Sequence, residues 1–426
     1  MDRNIIIIGA GAAGLQAGRR LSKAGFKITL LEASAQPGGR ILTLPAGGPD
    51  GFSLSVEGGA EFIHGELPLS LELAREAGVV LQPVNSHMVH VRADHGEENF
   101  TRAWGELFKQ MEMLPEDMPF GDFLTAYFSG DRYATLRNSV SRMAEGYDLA
   151  DLRTASTKSL YREWAAEEDG GEEFRPVGGY RQLIDHLVRV CVDQGCMIHY
   201  SAPVVSVRWE RGKVVAGTAD GQVYTADRLV STVSLGVLKD AGIAFSPELP
   251  ADHLAAIRKL GFGSVIKVLL EFDQPFWDHR KKPGQTLFVL SEEALPTWWT
   301  QPDDDCPLIT GWVAGQAREA LRVLDKEGRI RLALESLAGI FEVDAAELRG
   351  RLKASLILDW AMAPTVHGGY SFDTVGAMDA RVVLSQPVAE TLFFSGEALY
   401  EGDVPGTVEA GFCSGVTVAE KIIAQS

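Results

Sequence analysis

Ile5-Ile6-Ile7-Ile8-Gly9-Ala10-Gly11-Ala12-Ala13-Gly14 is the stretch on which the fold turns. Four β-branched residues in a row read as a strand buried on both faces, and the glycine run leads straight into a helical stretch over Leu15 to Ala24. Strand, glycine turn and helix, in that order, make a phosphate-binding unit. Gly9 permits the tight turn, Gly11 lets backbone N–H groups approach a pyrophosphate, and Gly14 lets the helix lie close to the sheet. Ala12 and Ala13 then supply amides at a helix N-terminus, whose dipole favours negative charge. Gly25 ends the helix, and a second strand, Lys27 to Leu31, delivers Glu32 eighteen residues after Gly14. A carboxylate there accepts both hydroxyls of an adenosine ribose and disfavours a 2′-phosphate. A plain glycine turn needs neither the second strand nor the acid. The fingerprint by itself leaves NAD and FAD both open.

The rest of the composition bounds the answer. At 426 residues the chain exceeds the ~250–300 residues at which single cores stop growing, so two packed domains are expected. Hydrophobic residues at 46% and charged residues at 23% are globular values, which excludes wholesale disorder and a membrane bundle. A net charge of −18 argues against a protein that binds nucleic acid or anionic lipid through a broad basic face, and it is compatible with a cationic ligand. Cys191, Cys196, Cys306 and Cys413 form no Cys-x-x-Cys and no Cys/His spacing for zinc, so no metal site is expected and a reduced, cytoplasmic setting fits. No targeting segment or run of ~18 apolar residues is visible, so no membrane anchor is expected.

Further motifs decide the cofactor. Gly38-Gly39-Arg40 follows the acidic strand, and Val56-Glu57-Gly58-Gly59-Ala60-Glu61-Phe62-Ile63-His64-Gly65 comes next. Pro203-Val204 opens a strand, and Ser231 to Lys239 precedes Phe245-Ser246-Pro247-Glu248-Leu249-Pro250. Lys267 closes Gly261-Phe262-Gly263-Ser264-Val265-Ile266-Lys267. Trp360 and Tyr370 bracket Ala361 to Gly369, and Leu392 to Glu397 leads toward Gly406-Thr407-Val408-Glu409-Ala410-Gly411, which opens a helix running to Ile423. In this order the motifs resemble the flavin-dependent amine oxidase family, the monoamine and polyamine oxidases and their relatives. The likeness is strongest at residues 5–65, 228–277 and 358–423.

The resemblance implies a site. Gly39 and Arg40 would make a second phosphate contact, the guanidinium offering paired donors, with an ordinary surface arginine as the bland alternative. Ala60, Glu61 and Phe62 would pass beside the isoalloxazine, and Val204 would hold the adenine. Gly396, Glu397, Thr407 and Val408 would meet the ribityl chain and pyrimidine, where a helix N-terminus faces charge developing on the ring. Glu397 reads equally as a solvated turn residue. Lys267 matches the lysine that holds a water against flavin N5, although strand alternation alone leaves it facing out or in. Trp360 and Tyr370 would be dry walls for the amine. His64 and Glu61 would orient a distal ammonium, His64 reading otherwise as a core histidine on a backbone carbonyl.

Two departures from the family pattern carry consequences. No cysteine stands in Trp360 to Tyr370, so FAD should be non-covalent. The second wall of the aromatic cage falls near Asp403, which is no aromatic, so either Trp298 and Trp299 compensate from elsewhere or the substrate is not a small monoamine. The implied architecture is α/β, a Rossmann-like FAD domain of the GR2 type from residues 1–79, 173–258 and 373–426. A discontinuous α+β substrate domain would come from 80–172 and 259–372. Residues 85–170 are helical and charged without a motif, and the acidic run Glu163 to Glu173 reads as a solvated loop or as a rim that attracts polyamines. The implied activity is hydride transfer from an amine C–H to FAD, with O2 taking the electrons and hydrogen peroxide released, in a monomer or homodimer. A non-amine substrate, a peptidyl-lysine substrate, or flavin binding without turnover stand as alternatives.

Overall fold

The computed structural model describes residues 4–65, 67–91, 97–168, 171–277, 280–402 and 404–425, without the side chains of 97–99 and 167–168. Asn4–Ile8 is the middle strand of a five-stranded parallel sheet, ordered Leu392–Phe394, Arg228–Ser231, Asn4–Ile8, Lys27–Leu31, Met197–His199. Its isoleucines are buried because both faces are covered, and alternation divides them. Ile5 and Ile7 pack with the helices Ala12–Lys23, Arg181–Asp193 and Val408–Ala424, while Ile6 and Ile8 pack with Val204, Val207, Val214 and Ala216 of a second sheet. The first helix starts at Ala12, ahead of its apolar periodicity, with Gly11 as its cap. Gly25, at φ +89°, turns the chain out of it.

The second sheet joins Val223–Ala226, Lys213–Thr218 and Val204–Glu210 as an antiparallel meander, with Ala244–Ser246 added in parallel. That fourth strand is three residues long, too short to show a period of two. A third sheet has six strands, ordered Leu352–Asp359, Val265–Phe272, Leu308–Ala314, Thr297–Thr300, Thr286–Ser291, Ser86–Val91. Ile266, Val268, Leu270 and Phe272 face the helix Lys326–Phe341, through Ile330, Leu334, Leu337 and Phe341. The alternate residues Lys267 and Glu271 therefore point the other way, as strand geometry requires. That face is covered rather than solvated, because the segment running from Phe52 to Glu61 lies over it.

Helices Glu97–Glu112, Phe120–Tyr127, Ala134–Gly146 and Thr157–Glu168 enclose a separate core of Leu107, Phe120, Phe123, Val140, Leu160 and Trp164. The solvated-loop reading of Glu163 to Glu173 is corrected here. Glu163 lies on a helix because Leu160 and Trp164, four residues apart, bury its inner face. Asp169, Gly170 and the side chains of Glu167 and Glu168 lie outside the described residues.

The helices Ala12–Lys23 and Val408–Ala424 cross at small residues near their N-termini. A Cβ on Gly415 would stand 2.4 Å from the Ala13 carbonyl oxygen, and one on Gly411 would stand 3.1 Å from Ala12 Cβ. Only glycine there lets two helix N-termini share one end of the parallel sheet.

Candidate active site

At that end of the sheet, Gly9 takes φ +103°, and a Cβ on Gly14 would lie 2.0 Å from the Gly9 carbonyl oxygen. The turn therefore closes only with glycine at both positions. No side chain caps the helix at Gly11 and no acidic residue occupies its first turn, so the amides of Ala12 and Ala13 stand ready for an anion. Glu32 is buried after the second strand, accepting from Ala10 N (2.7 Å) and Ser34 N (2.8 Å). Val204 begins its strand two residues past Ala202, whose N–H reaches the Glu32 carbonyl at 2.8 Å. At Gly39 and Gly396, with φ of +59° and +152°, a Cβ would meet no atom within 4 Å, so bare backbone faces open space at both. Thr407 caps the helix Val408–Ala424, accepting from Ala410 N at 3.1 Å. Bare amides, open glycine backbone and a buried acid just after the second strand are a set of groups that fits FAD.

Arg40 and Glu397, far apart in sequence, meet. Arg40 Nη1 donates to Glu397 Oε1 and to the Gly369 carbonyl, both at 2.8 Å, and Ser371 Oγ donates to Glu397 Oε2 at 2.6 Å. Glu397 is thus buried and paired rather than a solvated turn residue, and Arg40 is more than a surface arginine.

Lys267 is the centre of the second half of the site. It is 1% exposed, and Nζ donates to the Gly59 carbonyl at 3.0 Å and to Glu61 Oε2 at 2.7 Å, 5.4 Å from the Trp299 ring. Glu61 is 6% exposed and accepts Arg175 Nη2 on its other oxygen. Burial pushes the Glu61 carboxyl up, but the Arg175 and Lys267 charges outweigh it and hold it at about 2. Burial also raises Glu57, which accepts from Tyr180 N and Thr43 Oγ1 and feels both Lys267 and Glu61. Ala60 is fixed by its N–H to the Arg40 carbonyl at 3.1 Å, and the Phe62 ring lies 5.9 Å from Trp299.

Trp360 donates from Nε1 to the Gly58 carbonyl at 3.1 Å, beside the carbonyl that holds Lys267. Tyr370 packs in the same apolar cluster, stacked on Trp312 at 6.4 Å, and its hydroxyl donates to the Tyr147 carbonyl. His64 is not in the core, and among the described residues it meets no backbone carbonyl. It is half-exposed, bonded through Nδ1 to Glu173 at 2.7 Å and set edge-on to Tyr147 at 6.3 Å. Of the two tryptophans considered for the second cage wall, Trp298 is buried in the sheet–helix core and Trp299 faces Lys267. Asp403 lies outside the described residues. Arg175 and Trp312 are site neighbours that sequence reading passed over, while Glu173 stands at the end of the acidic run read there as a solvated loop or a polyamine-attracting rim. For Arg175 the only signal is a charge inside the run Phe174-Arg175-Pro176-Val177.

A family model described as flavin containing amine oxidoreductase matches residues 12–128 and 109–423. The chain belongs to this family. FAD is its cofactor, and the groups at the end of the parallel sheet fit it. Lysine-specific histone demethylase 1 homolog 2 of Arabidopsis thaliana is 30% identical over 99% of this chain and 58% of its own length. Polyamine oxidase 4 of Oryza sativa subsp. japonica is 28% identical over 98% of this chain and 88% of its own. The chain spans only between half and three fifths of the first demethylase relatives it matches. A solved putrescine oxidase with putrescine bound superposes with a TM-score of 0.83 at 20% identity, covering 100% of this chain and 99% of the other, a likeness of fold. The flavin amine oxidoreductase site thus rests on a mixed α/β fold shared with that structure. Among the described residues no helix is long and apolar enough to cross a membrane.

Proposed function

We propose that the chain is an FAD-dependent amine oxidase that converts a C–N bond of a primary, secondary or polyamine substrate to an imine, with O2 reduced to hydrogen peroxide. The observation that carries this reading is Lys267, buried and held between the Gly59 carbonyl and Glu61 beside Trp299. When bound, FAD supplies the acceptor for a hydride from the amine α-carbon. Gly9, Gly11, Ala12, Ala13, Gly14, Gly39 and Arg40 would hold its phosphates, Glu32 its ribose and Val204 its adenine. Ala60, Glu61, Phe62, Trp360, Gly396, Glu397, Thr407 and Val408 would line the rest.

Trp360, Tyr370 and Trp312 exclude water, so an amine among them loses its proton more readily, and only the neutral amine has the lone pair that drives hydride loss. Lys267 keeps an N–H beyond its two acceptors for proton traffic at the reacting centre. His64 with Glu173, at the half-exposed side, suits a second, charged amine. The same reading divides the chain into an FAD-binding Rossmann-like unit, 1–79, 173–258 and 373–426, and a substrate unit, 80–172 and 259–372. It includes non-covalent flavin, released by acid precipitation into the supernatant. It also includes a cytoplasmic setting, supported by four cysteines without disulfides. A methylated lysine side chain is the second substrate reading, supported by the demethylase likeness.

The test is anaerobic mixing of the yellow protein with monoamines, polyamines, N-acetylated polyamines, cyclic amines, amino acids and a methyl-lysine peptide, followed at the flavin absorbance. Bleaching by one class, with peroxide on admitting oxygen, is the expected result. Bound FAD that no amine bleaches overturns the proposal.

A further inference from the structure

Glu61 is shared by two cations. Arg175 holds Oε1 from the strand Phe174–Pro176 and Lys267 holds Oε2 from the strand Val265–Phe272, each buried, with Arg175 9% exposed. Gln301 takes another Arg175 nitrogen, and the guanidinium lies 4.9 Å from the Phe62 ring. Among the described residues Arg175 Nε, although buried, meets no hydrogen-bond partner, so the guanidinium keeps this position at a cost in unmade hydrogen bonding. Glu57 also faces the cluster, and burial raises its carboxyl above the ordinary value. Two cations thus meet on the one carboxylate of Glu61, which leaves one positive charge in surplus among the three. A buried surplus charge is unfavourable by itself and becomes favourable when negative charge develops beside it.

We propose that Arg175 is a positioning residue that engages half of Glu61, so that the Lys267 ammonium is only partly compensated and presents net positive charge to the reduced flavin and to oxygen. A simple Lys–Glu pair would be neutral overall and present no such field. Reoxidation passes two electrons and the N5 proton from the reduced flavin anion to O2, with one further proton from solvent, giving FAD and hydrogen peroxide. Surplus positive charge stabilises both the reduced flavin anion and the first, negatively charged product of oxygen reduction. This role rests on the amine oxidase reading only for the place of the flavin, and its test needs no amine.

The experiment compares the flavin midpoint potential, and reoxidation of dithionite-reduced enzyme by oxygen, in wild type, Arg175→Met, Arg175→Lys and the double variant Arg175→Met with Glu61→Gln. Arg175→Met should lower the potential and slow reoxidation by about tenfold. Arg175→Lys should stay near wild type. The double variant removes one charge of each sign and should recover both quantities, which a purely structural role for Arg175 would not do. A double variant at or below the single one, or an Arg175→Met potential equal to wild type, overturns the proposal.

Discussion

Lys267 and Glu61 show what one side chain does to another in a dry site. Replacing Lys267 by Met keeps the volume and removes the charge and the N–H donors, so FAD should remain bound while reoxidation by O2 slows by ~10–100-fold, measured by stopped flow. Unchanged reoxidation would remove Lys267 from its role. Glu61 makes a different prediction. Its carboxyl is held at about 2 against an ordinary 4.5. A depressed carboxyl contributes stability that is present above its unfolded value and is lost as pH falls toward the folded one. The size is about 3 kcal/mol, fading between roughly pH 4.5 and 2. Urea melts should show Glu61→Gln well below wild type at neutral pH, with the gap narrowing at pH 3; a constant gap would contradict this. At this scale the sequence was half legible. Lys267, Trp360 and Glu32 stand in recognisable neighbourhoods, whereas Arg175 finds Glu61 across 114 residues, a pairing that no local pattern encodes.

Elements carry the legible part of the fold because their signals are local. The run Ile5 to Ile8 and the glycines after it specify a doubly covered strand and a turn that only glycine closes. Strand alternation sets Lys267 on the side away from the helix, but whether that side meets water depends on Phe52 to Glu61 folding over it, a tertiary fact. Residues 85–170 read as helical, but the acidic run from Glu163 onward reads as a loop because in the sequence its charges obscure the pair Leu160 and Trp164, which carries the helix Thr157–Glu168 past it. The crossing of the first and last helices yields a prediction at this scale. Gly415→Val would put a Cβ and two methyls where the Ala13 carbonyl lies 2.4 Å away, forcing the helices apart. Overpacking of this kind costs ~1–3 kcal/mol, and here it also displaces the amides of Ala12 and Ala13. The variant should melt lower and lose FAD on gel filtration, and added FAD should restore part of the melting temperature. Full retention of FAD would show that the crossing does not set the phosphate site.

Across the whole molecule the charges are arranged in opposite senses. The chain carries −18, while the Lys267, Arg175 and Glu61 cluster keeps positive charge at its centre. If the substrate is a diamine, as the proposed function allows, its dication would be drawn by the outer field and repelled by the inner one. Under the proposed function, the end entering among Trp360, Tyr370 and Trp312 would shed its proton, while the other end would keep its charge near Glu173, half-exposed beside His64. Two consequences are measurable together. Since the Debye length is ~10 Å at 0.1 M salt, raising ionic strength from about 20 to about 200 mM should lower kcat/KM for a diamine several-fold and for a monoamine less, with kcat steady. At fixed ionic strength kcat/KM should rise with pH as the entering amine becomes neutral, because deprotonation then costs the site less. Equal salt sensitivity of the two substrates would mean that the outer field does not act on the second amine. A kcat/KM that falls as pH rises would mean that the charged form is the one that enters, against the positive cluster at the centre of the site.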